Sequence, residues 1–330
     1  MSEPTQRMIK TNGISLNVAE QGKGPLVLFC HGFPESWYSW RHQLDAVASA
    51  GFHAVAPDMR GYGNSDRPEA VDQYTIFHLV GDLVGLIDAL GEQSAVIVGH
   101  DWGAAIAWSA ARLRPDRFRA AAILSVPYRP RGPARPTSLM PQTAEAQFYQ
   151  LYFQEPGVAE AEFERDPRAT LGAMLYGGSG EGAAAIRANA ERAGRPFGVG
   201  MVSRAAGMLP KVAVPLPSWL SATDLDVYAA EFARSGFRGP LNYYRNTDRN
   251  WEQMAAFEGV KVTVPTLFVA GDHDMVLAFP GAAEHLATMK QWVPQLREIK
   301  LLPGCGHWTQ QERPQEVNAA IVEFLRSLPD

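Results

Sequence analysis

The stretch Val96-Ile-Val-Gly-His-Asp-Trp-Gly-Ala104 indicates how the rest of the chain is organised. Its apolar residues end at Gly99 and predict a buried strand, and an alanine-rich pattern over residues 104–114 predicts a helix directly afterwards. A strand that turns into a helix this abruptly needs small residues on both sides of the apex, and Gly99 and Gly103 supply them. This spacing is that of a nucleophile elbow, a strained turn that lifts one side chain clear of the sheet. The residue at the apex is Asp101.

An aspartate at the apex favours a different chemistry from a serine. A serine needs a base to become nucleophilic and attacks carbonyl carbon, whereas a carboxylate is already ionised at neutral pH. Asp101 can therefore displace a leaving group from saturated carbon and become an ester of the protein. That ester must then be hydrolysed, which requires an activated water and an oxyanion hole. The alternative for a Gly-x-Asp-x-Gly run is an ordinary surface turn, and the residues that accompany Asp101 decide between the two.

Length, charge and cysteine content narrow the class of protein. A chain of 330 residues is longer than one ordinary core, so we expect a domain with a large insertion. The formal net charge of −5 offers no basic surface for nucleic acid. Two cysteines do not make a disulfide framework, and we find neither a signal-peptide pattern nor an apolar run that could span a bilayer. We therefore expect a cytoplasmic protein that does not associate with membranes.

The sequence contains no motif that indicates a metal or a cofactor. Its histidines and cysteines do not cluster at zinc-ligand spacing. Gly178-Ser-Gly-Glu-Gly182 lacks both a preceding strand and the Gly-x-Gly-x-x-Gly spacing of a dinucleotide loop. Basic residues are not interleaved with aromatic ones as they are in RNA- or DNA-binding proteins. We therefore expect chemistry that uses neither a metal nor a cofactor.

Strands alternate with helices at both ends of the chain, which predicts an α/β fold with a mostly parallel, doubly wound sheet. Short apolar runs predict buried strands over residues 26–30, 53–57, 95–99, 119–126, 264–271 and 297–302. Helical spacing predicts helices over residues 37–50, 74–90, 104–114, 282–288 and 314–325. Residues 14–20 alternate weakly and predict an edge strand.

The alternation is interrupted between about residues 144 and 251, where the segments have helical spacing and no buried strand is predicted. A helical block inserted into an α/β sheet is typical of a lid or cap domain. We therefore predict an α/β core formed by residues 1–137 and 252–330, with a helical cap over residues 138–251. The Gly/Ala-rich patch at residues 177–185 predicts a loop of that cap.

Further polar residues follow predicted strands near the end of the chain. Asp272 and Asp274 follow the strand that ends at residue 271, and His307 lies in a glycine-rich turn after the next strand. Both loops lie at the carboxyl ends of parallel strands, where open sheets bind ligands. We predict His307 as the general base for the ester-hydrolysing water, with Asp274 preferred over Asp272 as the acid that orients it. The order nucleophile, acid, histidine is that of the α/β-hydrolase fold.

Backbone N–H groups of Phe33 and Trp102 are predicted to form the oxyanion hole. Trp102 directly follows Asp101, and Phe33 lies in the loop after an earlier strand. His31 in that same loop is predicted to shape the loop by a hydrogen bond rather than to act as a base. His100 flanks Asp101 and is predicted to be packed or hydrogen-bonded rather than catalytic.

These motifs resemble those of the soluble epoxide hydrolase family of α/β-hydrolases. The matching stretches are His31-Gly-Phe-Pro-Glu-Ser-Trp-Tyr-Ser-Trp40, Arg60-Gly-Tyr-Gly-Asn-Ser-Asp66, Gly99-His-Asp-Trp-Gly103, Tyr149-Gln-Leu-Tyr-Phe-Gln-Glu-Pro-Gly157, Ser235-Gly-Phe-Arg-Gly-Pro-Leu-Asn-Tyr-Tyr-Arg245 and Gly304-Cys-Gly-His-Trp-Thr-Gln310. The two stretches in the predicted cap are the most diagnostic. The resemblance implies an α/β-hydrolase fold with a cap and the conversion of a small-molecule epoxide to a vicinal diol without a cofactor. It leaves a homodimer open.

In this family two cap tyrosines hydrogen-bond the epoxide oxygen, and the resemblance places these roles on Tyr149 and Tyr244. Opening an epoxide builds alkoxide charge, to which two neutral phenols can donate. Tyr243 precedes Tyr244, and successive helical residues point about 100° apart, so only one of them can face a pocket well. Tyr152, one turn beyond Tyr149, is a further candidate. The residues expected to contact the substrate are Phe33, Trp102, Tyr149 and Tyr244.

Haloalkane and haloacid dehalogenases are the main alternative, because they share the fold and an aspartate nucleophile. They need donors for a departing halide, and Trp102 is a candidate for one of them. The paired cap tyrosines favour epoxide chemistry, as does Phe33 at a position where a haloalkane dehalogenase could carry a halide-binding side chain. A non-enzymatic binding protein of this fold would be expected to lack a triad member, and none is missing here. The aspartate at the apex argues against a serine-type esterase.

Overall fold

The computed structural model describes residues 3–192 and 198–329. The strands are β1 (Thr5–Thr11), β2 (Ile14–Gln21), β3 (Leu26–Cys30), β4 (His53–Pro57), β5 (Ala95–His100), β6 (Phe118–Leu124), β7 (Ala146–Phe148), β8 (Met201–Ser203), β9 (Thr266–Gly271) and β10 (Leu296–Leu302). The helices are α1 (Arg41–Ser49), α2 (Ile76–Ala89), α3 (Trp102–Leu113), α4 (Pro136–Leu139), α5 (Tyr149–Tyr152), α6 (Val158–Phe163), α7 (Pro167–Gly178), α8 (Gly180–Arg192), α9 (Ala222–Ser235), α10 (Arg238–Arg245), α11 (Thr247–Gln253), α12 (Ala282–Trp292), α13 (Thr309–Glu312) and α14 (Pro314–Arg326). Short 3₁₀ turns lie at Trp37–Trp40, Val71–Tyr74, Met254–Phe257 and Met275–Ala278.

The main sheet of the described residues has eight strands in the order β1-β2-β4-β3-β5-β6-β9-β10. Strands β4, β3, β5, β6, β9 and β10 run parallel. At one side β2 pairs antiparallel with β4, and β1 pairs antiparallel with β2. Strands β3, β5 and β9 are buried at every position, as expected for central strands with apolar side chains on both faces. The predicted α/β fold with a mostly parallel sheet is confirmed.

The carboxyl ends of four strands bring the predicted site residues to one edge of the sheet. Phe33 follows β3, Asp101 follows β5, Asp274 follows β9 and His307 follows β10. Because the strands are parallel and adjacent, loops that are far apart in sequence meet at this edge. The topology of the sheet alone therefore brings these four residues to the same edge.

The prediction of an edge strand at residues 14–20 is wrong, because β2 pairs on both sides. Strand β1 covers its outer side in an antiparallel hairpin, and β4 covers the other. Strand β1 is exposed at most positions, so it carries no apolar period that would mark it as a strand. The signal for the hairpin was the turn Asn12-Gly13, whose positive φ values of 37° and 79° suit a tight two-residue connection.

The region between β6 and β9 contains α4 to α11, as expected for a helical cap, together with a small antiparallel pair formed by β7 and β8. The prediction of a cap loop at residues 177–185 is wrong, because α7 continues to Gly178 and α8 begins at Gly180. The hydroxyl of Ser179 accepts a hydrogen bond from the Gly182 N–H at 3.0 Å and so caps the new helix. The glycines mark a helix-to-helix junction rather than a loop.

Helix α3 approaches the end of β3 so closely that only glycine fits at its second position. A Cβ atom on Gly103 would lie 1.9 Å from the Cys30 carbonyl oxygen, and one on Gly99 would lie 2.1 Å from the Gly103 carbonyl oxygen. The small residues predicted around the elbow are thus required by backbone-to-backbone packing.

We expect Gly103→Ala to destabilise the protein by about 3 kcal/mol, because the new methyl group overlaps backbone that cannot rotate away. Denaturant unfolding followed by circular dichroism measures this loss. Gly172→Ala in α7 is the matched control, since its Cβ would meet Leu225 at an ordinary 3.5 Å and alanine favours a helix. Equal stabilities of the two variants would contradict the packing argument.

Candidate active site

Asp101 occupies a strained backbone position between β5 and α3. Its φ of 54° and ψ of −118° lie in a region that residues other than glycine rarely adopt. The strain is maintained by the tight contacts of Gly99 and Gly103 on either side of the turn. The side chain is consequently held at the carboxyl edge of the sheet, where the predicted elbow would present it.

His307 lies between two carboxylates. Its Nε2 atom is 3.4 Å from Asp101 Oδ2, and its Nδ1 atom is 3.0 Å from Asp274 Oδ1 and 3.2 Å from Oδ2. Asp274 also accepts a hydrogen bond from the Val276 N–H at 2.9 Å, which orients its carboxylate. Asp272 instead accepts from the Gly304 N–H at 2.7 Å. The structure therefore pairs His307 with Asp274, the acid that the sequence favoured.

The two carboxylates control the protonation of the imidazole. Burial would lower the pKa of His307, but the negative charges of Asp274 and Asp101 outweigh burial and raise that pKa well above its usual value. Burial likewise opposes the ionisation of Asp101, yet its contacts with His307 lower the pKa of the carboxyl. The resting pair at neutral pH is thus a carboxylate beside an imidazolium.

The predicted oxyanion donors flank the Asp101 carboxylate. The Phe33 N–H donates to Asp101 Oδ1 at 2.8 Å. Trp102 is the first residue of α3, where an N–H group has no acceptor within its own helix. A Cβ atom on Gly32 would lie 2.3 Å from Asp101 Cβ, so the loop comes close to the elbow only because it has glycine there. The Phe33 N–H is thus placed for negative charge at this carboxyl group, and the Trp102 N–H stays a predicted second donor.

Tyr149 and Tyr244 come from separate cap helices and meet above the elbow. Their ring centroids are 6.0 Å apart, and the Tyr244 ring packs edge-on against Phe33 at 5.7 Å and Trp102 at 5.1 Å. The Tyr149 hydroxyl accepts from Gln150 Nε2 at 2.9 Å, so its own proton is free to be donated elsewhere. Burial, followed by the charge of Asp101, raises the pKa of both phenols above the usual value.

The neighbouring tyrosines have other partners. The Tyr243 hydroxyl donates to the Arg60 carbonyl oxygen at 2.8 Å, and the buried Arg60 side chain in turn pairs with Asp82 at 2.6 Å. The Tyr152 hydroxyl donates to Glu162 at 2.7 Å. Both rings pack against Trp102, Tyr243 at 5.7 Å and Tyr244 at 5.1 Å, but the Tyr243 hydroxyl is bonded to the Arg60 carbonyl, whereas Tyr244 also packs against Phe33 and Tyr149.

The flanking histidines behave as predicted. His31 Nε2 accepts from the Met59 N–H at 3.0 Å and its Nδ1 is 3.0 Å from the Gly32 carbonyl oxygen, so the ring shapes its loop. His100 is fully buried and hydrogen-bonds the His307 carbonyl oxygen through Nε2 at 2.7 Å. The hydrogen bonds predicted for both histidines are present, and their lack of a catalytic role stays a prediction.

The sequence analysis did not identify two buried polar residues that hold His100 and His307 in place. Glu35 is fully buried, lies 2.7 Å from His100 Nδ1 and accepts from the Gly32 N–H and the side chains of Gln310 and Gln311. Ser125 donates to the His307 carbonyl oxygen at 2.8 Å. No local pattern marked Glu35, because its partners His100, Gln310 and Gln311 are distant in sequence.

Known proteins resemble this chain both in sequence and in structure. A profile of the alpha/beta hydrolase fold family matches residues 25–314. The chain is 48% identical to epoxide hydrolase A of Mycobacterium tuberculosis over 99% of both chains, and 43% identical to epoxide hydrolase 3 of Siraitia grosvenorii over 96% of both. It superposes on an epoxide hydrolase from an endophytic Streptomyces with a TM-score of 0.90 and 45% identity, covering 99% of this chain and 96% of that one.

This chain belongs to the epoxide hydrolase family. The resemblance inferred from the sequence motifs is confirmed. Within residues 3–192 and 198–329 of this epoxide hydrolase family member, no group of three or more His, Cys, Asp or Glu side chains is arranged to hold a metal ion. None of the helices in this part of the chain is long and apolar enough to cross a membrane.

We expect Asp274→Asn to lower the pKa of His307, because it removes the largest contribution that holds the imidazolium. Histidine C–H resonances followed by NMR across a pH titration measure this value, with His307→Gln assigning the signal. Asp272→Asn is the matched control and should leave the pKa of His307 as in the unmodified protein. A larger fall of the His307 pKa in Asp272→Asn than in Asp274→Asn would mean that Asp272, and not Asp274, is the acid that acts on His307.

Proposed function

We propose that this family member hydrolyses a small-molecule epoxide to a vicinal diol through a covalent ester on Asp101. The observation that carries the proposal is the placement of two phenols, the half-buried Tyr149 and the buried Tyr244, over an elbow whose carboxylate also contacts the imidazole of His307. The Asp101 carboxylate can attack carbon, while the two phenols can donate to the negative charge that develops on oxygen.

In the first step an Asp101 carboxylate oxygen attacks one carbon of the epoxide ring. The carbon–oxygen bond breaks, its electron pair stays on the ring oxygen, and a proton from Tyr149 or Tyr244 neutralises that oxygen. The raised pKa of each phenol supports this role, because both remain protonated donors at neutral pH. Phe33, Trp102 and the two phenols line this part of the site with aromatic rings, which contact one another at 5.1 to 6.0 Å.

In the second step His307 activates a water molecule against the ester. Esterification removes the negative charge of Asp101, one of the influences that raise the pKa of His307, so the imidazolium can release its proton to restore the phenol that was deprotonated in the first step. The neutral imidazole then accepts a proton from water. Asp274 stabilises the imidazolium that forms again. Hydroxide adds to the ester carbonyl, and the N–H groups of Phe33 and Trp102 bind the oxyanion. The ester carbon–oxygen bond then breaks, and the departing oxygen takes the proton of the added hydroxyl group, which gives the diol and the Asp101 carboxylate.

The dehalogenase alternative shares Asp101, His307 and Asp274 but has no use for paired phenols. A departing halide needs N–H donors rather than a proton, and the Trp102 indole beside the elbow is a candidate for one of them. We therefore favour epoxide opening, for which both phenols have a stated role. We also propose detoxification as the context of the reaction, and the cytoplasmic location and the possibility of a homodimer stay predictions.

We expect His307→Gln to accumulate the ester, because the first step needs no base whereas the second does. Intact-protein mass spectrometry after mixing with an aryl epoxide should show an increase equal to one substrate molecule. The double variant Asp101→Asn, His307→Gln should show no increase. If His307→Gln stays at its own mass and releases no diol, the two-step scheme is wrong.

We expect Tyr149→Phe combined with Tyr244→Phe to reduce diol formation by at least about a thousandfold, since the leaving oxygen loses both of its proton donors. Tyr243→Phe is the matched control, because its hydroxyl serves the Arg60 carbonyl. Diol release from an aryl and a fatty-acid epoxide, and halide release from a haloalkane, are measured side by side. Halide release that survives loss of both phenols would favour the dehalogenase alternative.

A further inference from the structure

The junction between cap helices α7 and α8 is bonded to the loop that carries His307. The His307 N–H donates to the Gly178 carbonyl oxygen at 2.8 Å, and Trp308 Nε1 donates to the Leu175 carbonyl oxygen at 2.8 Å. Carbonyl groups in the last turn of a helix have no partner within that helix. The histidine loop thus supplies the partners for the end of α7.

Glycines bring the two backbones into direct contact. A Cβ atom on Gly180 would lie 2.1 Å from the Gly304 carbonyl oxygen, and one on Gly306 would lie 2.2 Å from the Gly180 nitrogen. One on Gly178 would lie 2.9 Å from Trp308 Nε1. None of Gly178, Gly180 and Gly306 has a positive φ, so close approach rather than backbone conformation requires glycine at these positions.

Glu312 joins both sides of this contact. Its Oε2 atom accepts from the N–H groups of Gly180 at 2.9 Å and Gly306 at 3.0 Å, and its Oε1 atom accepts from the Trp308 N–H at 3.0 Å. Burial raises the pKa of Glu312, and the three backbone donors act against that rise. One carboxylate therefore ties the first turn of α8 to the residues on both sides of His307.

We propose that Glu312 and the Gly178-Ser-Gly180 junction position His307 for hydrolysis of the ester, a role that rests on the proposed function. His100 and Ser125 hold the His307 carbonyl from the core, and the junction with Glu312 holds the amide side from the cap. His307 must keep its Nε2 near Asp101 while a water molecule enters between them, and small displacements at such a distance slow reactions strongly.

The proposal separates the two steps of the reaction. Ring opening depends on Asp101, Tyr149 and Tyr244. Within the part of the chain that the structure describes, none of these three residues is hydrogen-bonded to residues 175–180. Hydrolysis depends on His307, whose own amide is bonded to it. A disturbed junction should therefore slow the second step and spare the first, whereas a general loss of cap docking would slow ring opening as well.

The test uses two changes with matched controls in the full-length protein. Gly180→Ala inserts a methyl group against the Gly304 carbonyl. A Cβ atom on Gly177, three positions before the start of α8, meets nothing within 4 Å, so Gly177→Ala is its control. Glu312→Gln replaces one accepting oxygen by a donor that faces backbone N–H groups. Glu316→Gln is its control, because Glu316 is 42% exposed and pairs with Arg313.

Single-turnover mixing with styrene oxide, quenched and read by mass spectrometry, gives the rate constants of ester formation and ester hydrolysis separately. We expect Gly180→Ala and Glu312→Gln to lower the hydrolysis rate constant about tenfold or more, with ester formation within about twofold of the unmodified protein. The esterified fraction at steady state should rise. Both controls should leave both rate constants within about twofold.

Three results would overturn the proposal. Equal losses in both steps, or a loss in ester formation alone, would mean that the junction anchors the cap and its tyrosines. Unchanged hydrolysis in Glu312→Gln, a near-isosteric change that keeps the glycine contact, would overturn it even if Gly180→Ala failed to fold. His307→Gln separates this failure from a failure of the proposed function, because without any ester in that variant the two-step reaction itself is wrong.

Discussion

The close packing of α3 against the end of β3 is the constraint on which the site depends. Gly103 lies against the Cys30 carbonyl with no room for a side chain, and Asp101 accepts an unfavourable positive φ as a result. The same approach brings the Phe33 amide within 2.8 Å of the Asp101 carboxylate. The proposed nucleophile and the proposed oxyanion donor are thus placed by main-chain contacts, which side-chain rotations cannot disturb.

Charge is organised around this rigid turn. His307 lies between Asp101 and Asp274, and each carboxylate favours the protonated imidazole. In the proposed reaction the chemistry itself removes one of these charges, because Asp101 becomes a neutral ester. The change in protonation needed for the second step then requires no movement of the protein, only the loss of a neighbour's charge.

The parts of the fold and of the site that could be predicted from sequence are those whose physical cause lies within a few residues of them in the chain. Asp101, Asp274 and His307 follow strands within a few residues, and the turn composition around them marks their positions. The choice between Tyr243 and Tyr244 depends on how the cap docks, which no local pattern contains. Glu35 and Glu312 act by accepting from several groups that are distant in the chain, so their types and neighbours carry no recognisable spacing. Strand β1 was not predicted, because a polar strand resembles a loop in sequence. The α7–α8 junction was predicted as a loop, because a glycine-rich helix start also resembles one.

The hydrogen bond from Tyr243 to the Arg60 carbonyl has a consequence for building hybrid enzymes. Tyr243 holds α10 against a loop of the core whose shape is maintained by the buried pair of Arg60 and Asp82. Because Tyr244 is the next residue, any shift of that attachment rotates it relative to the elbow. A cap transplanted from a relative would therefore bring its phenol into register only if the recipient core also carried a matching loop around residues 58–66 and its carboxylate partner on α2.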